Sequence, residues 1–71
     1  MAFVDTIAER VATETFETAE ALGQPDLVDE VSRTIGELSP TMQEAYNTAI
    51  RYLRAEARAK AILQARAART D

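Results

Sequence analysis

The sequence has no cysteine, no histidine and no tryptophan, and it contains only two glycines and two prolines in 71 residues. Without cysteine the chain can form neither disulfides nor thiolate metal sites. Without histidine it lacks the commonest metal ligand and the usual general base at neutral pH. Two phenylalanines and two tyrosines are the only aromatic residues, so a core must consist mainly of aliphatic side chains and alanine. These absences favour a small helical domain over an enzyme.

Long hydrophobic runs are also missing. No apolar segment approaches the roughly 18 residues of a membrane-spanning helix. The first ten residues, MAFVDTIAER, contain neither the basic region nor the unbroken apolar region of a secretory signal. We therefore expect a cytoplasmic protein with no membrane partner. Seven arginines against one lysine, together with fourteen alanines, are typical of proteins from GC-rich bacterial genomes, so we also expect a bacterial origin.

A first helix is predicted at about residues 4–22, where apolar side chains recur with helical period. Thr6 and Glu9 have the spacing of a capping box near its start, and an earlier start of the helix is the alternative. Gly23 and Pro25 are typical of a helix end. The predicted apolar face consists of Val4, Ile7, Ala8, Val11, Thr15, Ala19 and Leu22, with Phe3 and Phe16 at its flanks.

A second, shorter helix is predicted at about residues 25–37. Gly36 is expected to fray its last turn. Pro40 disfavours a helical backbone at Ser39, which indicates a tight corner after this helix. Its predicted apolar stripe consists of Leu27, Val28, Val31, Ile35 and Leu38.

A third and much longer helix is predicted at about residues 40–69. Ser39 is a good N-cap and Pro40 suits the first helical position. An unbroken helix of this length would extend about 45 Å. Its predicted core face consists of Met42, Ala45, Tyr46, Ala49, Ile50, Leu53 and Ala57.

Beyond Ala57 the third helix loses its apolar face and is favoured by propensity alone. Seven of the fourteen alanines lie between Ala55 and Ala68, and Glu56 with Lys60 forms a favourable i,i+4 pair. The first helix, about 28 Å long, can cover only about the first twenty residues of the third. The sequence thus predicts one all-α domain over residues 1–71, a three-helix bundle whose long C-terminal helix extends beyond the core.

The net charge of −4 conceals a division along the chain. Residues 1–44 hold ten acidic and two basic side chains, a balance of −8, whereas residues 45–71 hold two acidic and six basic ones, a balance of +4. The acidic half could fold against the basic helix or pair with the basic helix of a second copy. A basic surface for nucleic acid is the other interpretation.

The extension of the third helix is the main candidate for function. We predict a protein-interaction module that self-associates as a homodimer through this basic helix, or that binds another protein; a monomer with a frayed tail is the structural alternative. The predicted interaction residues are Arg51, Tyr52, Arg54, Arg58, Ile62, Leu63 and Arg66.

A small nucleic-acid-binding regulator is the alternative function. The second and third helices could form a helix-turn-helix, and a stripe of arginines could follow a phosphate backbone. The pI of about 4.7 weighs against this function. The arginines are Arg51, Arg54, Arg58, Arg66 and Arg69, whereas the first turns of the third helix offer Thr41, Gln43, Glu44 and Asn47.

No catalytic, cofactor-binding or metal-binding residue is predicted, and no small-molecule substrate is evident. Two acidic clusters, one around Asp26 and Asp29 and one around Glu14 and Glu17, are interpreted as solvated helix faces. A di-metal site in a helical bundle would require histidine beside glutamate. A membrane-surface helix would need large apolar residues opposite its arginines, and this chain has alanines there.

Overall fold

The computed structural model describes residues 2–69, which form three α-helices. They are α1 (Phe3–Leu22), α2 (Asp26–Leu38) and α3 (Pro40–Ala68). Each helix packs against the other two, and the predicted all-α, three-helix fold with a long third helix is confirmed.

The start of α1 differs from the sequence prediction. The helix begins at Phe3, and the N–H groups of Asp5 and Thr6 donate to the Ala2 carbonyl at 3.1 and 3.2 Å. The Ala2 N-cap position has no side-chain hydrogen bond. The helix thus begins earlier than a capping box at Thr6 would place it, which was the alternative: Thr6 lies inside the first turn, where its own N–H is already paired.

The end of α1 follows the prediction. Gly23 adopts a left-handed conformation with φ of 66°, which a residue with a Cβ occupies only at a steric cost. Its N–H donates to the Glu20 carbonyl at 3.2 Å, and the Gln24 N–H donates to the Ala19 carbonyl at 2.9 Å. This paired termination of the helix turns the chain into α2.

The core lies where the three helices meet. Its buried residues are Ala8, Ala12, Thr15 and Ala19 from α1, Val28 from α2, and Tyr46 and Ile50 from α3. Every predicted core residue of α3 is buried or half-buried. Because α1 contributes mainly alanines, its backbone can lie close to the large ring of Tyr46.

Two predicted core residues are exposed, and one buried residue was missed. Leu22 is 59% exposed and Leu38 is 87% exposed. Both lie in the last turn of their helices, immediately before the chain changes direction, so no facing helix covers them. Ala12 is fully buried although it is not part of the predicted apolar face. Alanine gives too weak a hydrophobic signal to distinguish a core position from a surface one.

Tyr46 connects α3 to the other two helices. It is fully buried, and its hydroxyl donates to the backbone carbonyl of Val28 at 2.9 Å. Burial raises the pKa of Tyr46, while a hydrogen bond with Thr15 acts in the opposite direction. The carboxylate of Asp29 raises this pKa further, and the guanidinium of Arg54 lowers it.

The raised pKa of Tyr46 predicts a loss of stability at alkaline pH. In the unfolded chain tyrosine ionises at about pH 10, and the folded protein holds the proton to higher pH. The contribution of protonated Tyr46 to the free energy of unfolding is therefore fully present below pH 10, and it is lost as the pH rises through the pKa of the folded protein. Urea unfolding between pH 9 and 11.5 should show this decline, and Tyr46→Phe should show less of it. An equal decline in both proteins would contradict the assignment to Tyr46.

A polar contact joins α2 to the beginning of α3. The amide nitrogen of Gln43 donates to the Ser32 carbonyl at 3.0 Å, and the Ser32 hydroxyl donates to Asn47 Oδ1 at 2.8 Å. Gly36 makes room for this contact, because a Cβ at Gly36 would lie 2.5 Å from the Gln43 amide nitrogen. The predicted fraying at Gly36 is wrong: α2 continues through it to Leu38.

The corner between α2 and α3 follows the sequence prediction. Ser39 has an extended backbone, and its hydroxyl accepts a hydrogen bond from the Met42 N–H at 3.0 Å. Pro40 occupies the first turn of α3. The N-cap and the N-terminal proline are both confirmed.

The relative position of the helices explains why α3 extends past the bundle. Phe16, Gly23, Pro25 and Arg54 line one depression of about 280 Å³, so the turn from α1 to α2 lies beside Arg54. From there α3 continues through fourteen residues, 55–68, which is about 21 Å at 1.5 Å per residue. The described chain is accordingly elongated, 52 × 28 × 13 Å.

Candidate functional site

The part of α3 that projects from the bundle, with the C-cap residue that follows it, comprises residues 58–69, and we call it the overhang. Ala57 is half-buried, whereas every residue of the overhang is exposed. This confirms the prediction that the intrachain core ends near Ala57. The overhang carries four basic side chains, Arg58, Lys60, Arg66 and Arg69, and no acidic one.

The overhang is helical because of its composition rather than its packing. Alanine, arginine and leucine are strong helix formers. The predicted ion pair forms between Lys60 and Glu56, with Nζ 3.4 Å from the carboxylate, and both side chains are more than half exposed. Such an i,i+4 pair stabilises a helix by only about 0.3–0.5 kcal/mol. A helix supported in this way is marginal in water without tertiary contacts.

An exposed apolar stripe runs along α3 from the bundle into the overhang. It comprises Tyr52, Ala55, Ala59 and Ile62, spaced by three, four and three residues, which is the spacing of a coiled-coil seam. At 100° per residue the stripe lies on the side of the helix opposite Tyr46. Tyr52 is 72% exposed and Ile62 is 67% exposed. Leu63, next to the stripe, is 68% exposed.

A second surface feature is a groove between the N-terminal halves of α1 and α3, with a volume of about 800 Å³. Ala45, Ala49 and Leu53 contribute apolar surface to it, and Tyr52 lies at its border with the apolar stripe. Four carboxylates surround it, from Asp5, Glu9, Glu44 and Glu56. We call this feature the acidic groove.

Within the described residues 2–69, most charges of the acidic groove and of the overhang have no partner. Within residues 2–69 the structure contains one ion pair, between Glu56 and Lys60. The carboxylates of Asp5, Glu9 and Glu44 make no hydrogen bond in that part of the chain. The guanidinium groups of Arg58 and Arg66 also lack one there. Two surfaces of opposite charge therefore face solvent.

The structure divides the seven predicted interaction residues into three groups. Tyr52 and Ile62 form the apolar stripe, and Leu63 and Arg66 adjoin it. Arg51 and Arg58 border the stripe on the other side, and an Arg51 Nη donates to the Thr48 hydroxyl at 3.3 Å. Arg54 lies apart, beside the turn between α1 and α2.

Sequence reasoning missed the acidic groove, which only the packing of α1 on α3 creates. Its one sequence signal is the placement of Asp5, Glu9 and Thr13 at intervals of four on one face of α1. That signal equally describes a solvated helix face. Nothing in the sequence pairs this face with Glu44, which lies 31 residues beyond Thr13.

The polar residues in the first turns of α3, which a recognition helix would present to the bases, contact α2 or line the acidic groove instead. Gln43 and Asn47 are half-buried and engaged with Ser32. Thr41 and Glu44 line the acidic groove. None of these four side chains is cationic, and the adjoining carboxylates would repel phosphates.

Comparison with protein-family models, with curated proteins and with solved structures finds no match to this chain. Of the helices within residues 2–69, none combines the length and the apolarity needed to cross a membrane. The same residues contain no cluster of three or more carboxylate, imidazole or thiol side chains that could hold a metal ion.

Proposed function

We propose that this chain is a small helical protein-interaction module that self-associates as a homodimer through the overhang and the adjoining apolar stripe. The observation that carries the proposal is a helical segment with exposed Ile62 and Leu63, a charge of +4 and no covering element within residues 2–69. The expectations of a cytoplasmic location and a bacterial origin stay predictions from the sequence.

Self-association would give the overhang the packing partner that it lacks within residues 2–69. Covering Ile62 and Leu63 would remove apolar surface from water at about 25 cal/mol per Å². Because binding stabilises the conformation that binds, a second copy would also hold residues 58–69 in the helical state. A two-fold dimer makes each such contact twice, so one modest stripe can suffice for a stable pair.

Sedimentation equilibrium tests the proposal directly. The chain has a mass of 7.8 kDa, and we expect twice that mass at concentrations of hundreds of micromolar, falling towards one chain on dilution. A mass of one chain throughout that range would overturn self-association. A mass well above two chains would overturn the dimer and indicate an open assembly.

The nucleic-acid function is a second candidate because exposed guanidinium groups of Arg54 and Arg58 have no ion-pair partner within residues 2–69. Binding to mixed-sequence DNA or RNA, measured by fluorescence anisotropy at low salt, would then weaken steeply as salt is added. No change in anisotropy at low salt would remove this candidate. The acidic groove leads us to expect that result.

A further inference from the structure

We propose that the acidic groove of one copy receives the overhang of the other, reciprocally, so that the two α3 helices pair antiparallel about Ala55. This inference rests on the proposed self-association and names the surface that receives the overhang. It assigns a function to Asp5, Glu9 and Glu44, whose carboxylates have no partner within residues 2–69.

Charge complementarity identifies a second copy as the occupant. The acidic groove has four carboxylates around it, and the overhang has four cationic side chains and no acidic one. An interface of this kind suppresses other orientations, because like charges would then face each other. The groove fits a basic segment with two large apolar side chains, and the overhang of this chain is such a segment.

The dimensions of the two features also agree. The overhang has twelve residues and is about 18 Å long. The α3 side of the groove extends from Thr41 to Glu56, about 22 Å by the same rise. The apolar surface from Ala45 and Ala49 lies within that span, where Ile62 and Leu63 of the second copy would lie.

An antiparallel register follows from the charges. In a two-fold pair the facing positions are equally far from the centre in opposite directions. Glu44 lies eleven residues before Ala55 and Arg66 lies eleven after it, so a centre at Ala55 places each Glu44 opposite the Arg66 of the other copy.

In the same register, Ile62 and Arg58 also lie opposite residues of the second copy with which they can form favourable contacts. Ile62 lies seven residues after Ala55, opposite Thr48 in the groove. Arg58 lies three residues after Ala55, opposite the exposed ring of Tyr52, where a cation–π contact can form. A small alanine at the centre lets the two backbones approach closely, at the lower end of the 8–10 Å range of packed helices.

Charge exchange between Glu44 and Arg66 tests this register. In a Glu44→Arg homodimer, two arginines would face each other at each end of the interface. In an Arg66→Glu homodimer, two glutamates would face each other there. We expect each variant alone to raise the dimer Kd by at least about tenfold, since both symmetry-related charge pairs change from attractive to repulsive. A one-to-one mixture of the two variants restores both attractive pairs, so it should form heterodimers with near-native Kd. The double variant should recover homodimerisation in the same way.

Sedimentation and native mass spectrometry measure the dimer Kd of the two single variants, their mixture and the double variant. Glu14→Arg, an equal charge change on an exposed position of α1 outside the groove, is the matched control and should leave the Kd unchanged. If both single variants dimerise like the parent, or neither combination recovers, the overhang docks elsewhere and this inference is overturned while self-association stands. If the parent chain is monomeric, the proposed function fails first and the register fails with it.

Discussion

Ile62→Asp is expected to raise the dimer Kd by at least about a hundredfold while the three-helix core stays folded. Burial of one large aliphatic side chain contributes about 1.5–3 kcal/mol, and a two-fold dimer loses two of them. The new carboxylate would also be taken out of water. Since Ile62 is 67% exposed in the single chain, its own bundle loses little. Sedimentation gives the Kd, and far-ultraviolet circular dichroism with urea unfolding gives the stability of the monomer.

Gln64→Asp provides the control for Ile62→Asp. It adds the same negative charge two residues away, on an exposed position of the overhang that lies off the apolar stripe, so its Kd should change much less. A loss of the cooperative urea-unfolding transition in Ile62→Asp at monomer concentrations would show that Ile62 supports its own bundle. An unchanged mass would show that the stripe lies outside the interface.

Tyr46→Ala is expected to leave the chain largely unfolded at 25 °C. Truncation of a buried aromatic side chain to alanine costs about 3–5 kcal/mol. A single hydrophobic core in a chain of this length rarely supplies more than about 3–5 kcal/mol of stability, so the loss is comparable with the whole. Tyr46 is fully buried and bonds the Val28 carbonyl, so its loss leaves both a cavity and a broken link to α2. Circular dichroism should show a large loss of helical signal and of any cooperative thermal transition.

Tyr46→Phe separates the hydroxyl from the ring. It retains most of the packing and should cost only about 1 kcal/mol, the usual net value of a hydrogen bond. If Phe and Ala at this position were equally destabilising, the link to Val28 rather than the filled core would hold the bundle together. A native-like transition in Tyr46→Ala would mean that the core lies elsewhere.

The helices follow from the sequence because their determinants are local. Ser39 and Pro40 begin α3, and Gly23 ends α1, through hydrogen bonds and backbone angles that involve neighbouring residues. The end of the core near Ala57 follows from periodicity, since the apolar face stops there. Leu22 and Leu38 were misplaced because periodicity gives the face of a helix but not how far along it a partner extends.

The overhang was predictable and the acidic groove was not. A helix about 44 Å long, from Pro40 to Ala68, is too long for its neighbours, and this can be counted from sequence. The groove depends on which carboxylates of α1 come to lie beside Glu44, and that depends on how α1 packs against α3. Asp5 and Glu9 resemble ordinary surface charges until that packing is known.

Hydrogen exchange of the backbone amides along residues 58–69, measured above and below the concentration at which the chain associates, tests the central claim most directly. We predict slow exchange in the overhang at high concentration, with protection lost on dilution to the monomer, while amides of the core around Tyr46 stay protected at both concentrations. Fast exchange of residues 58–69 at every concentration would contradict the account, because the overhang would then be a frayed helix end that no second copy covers.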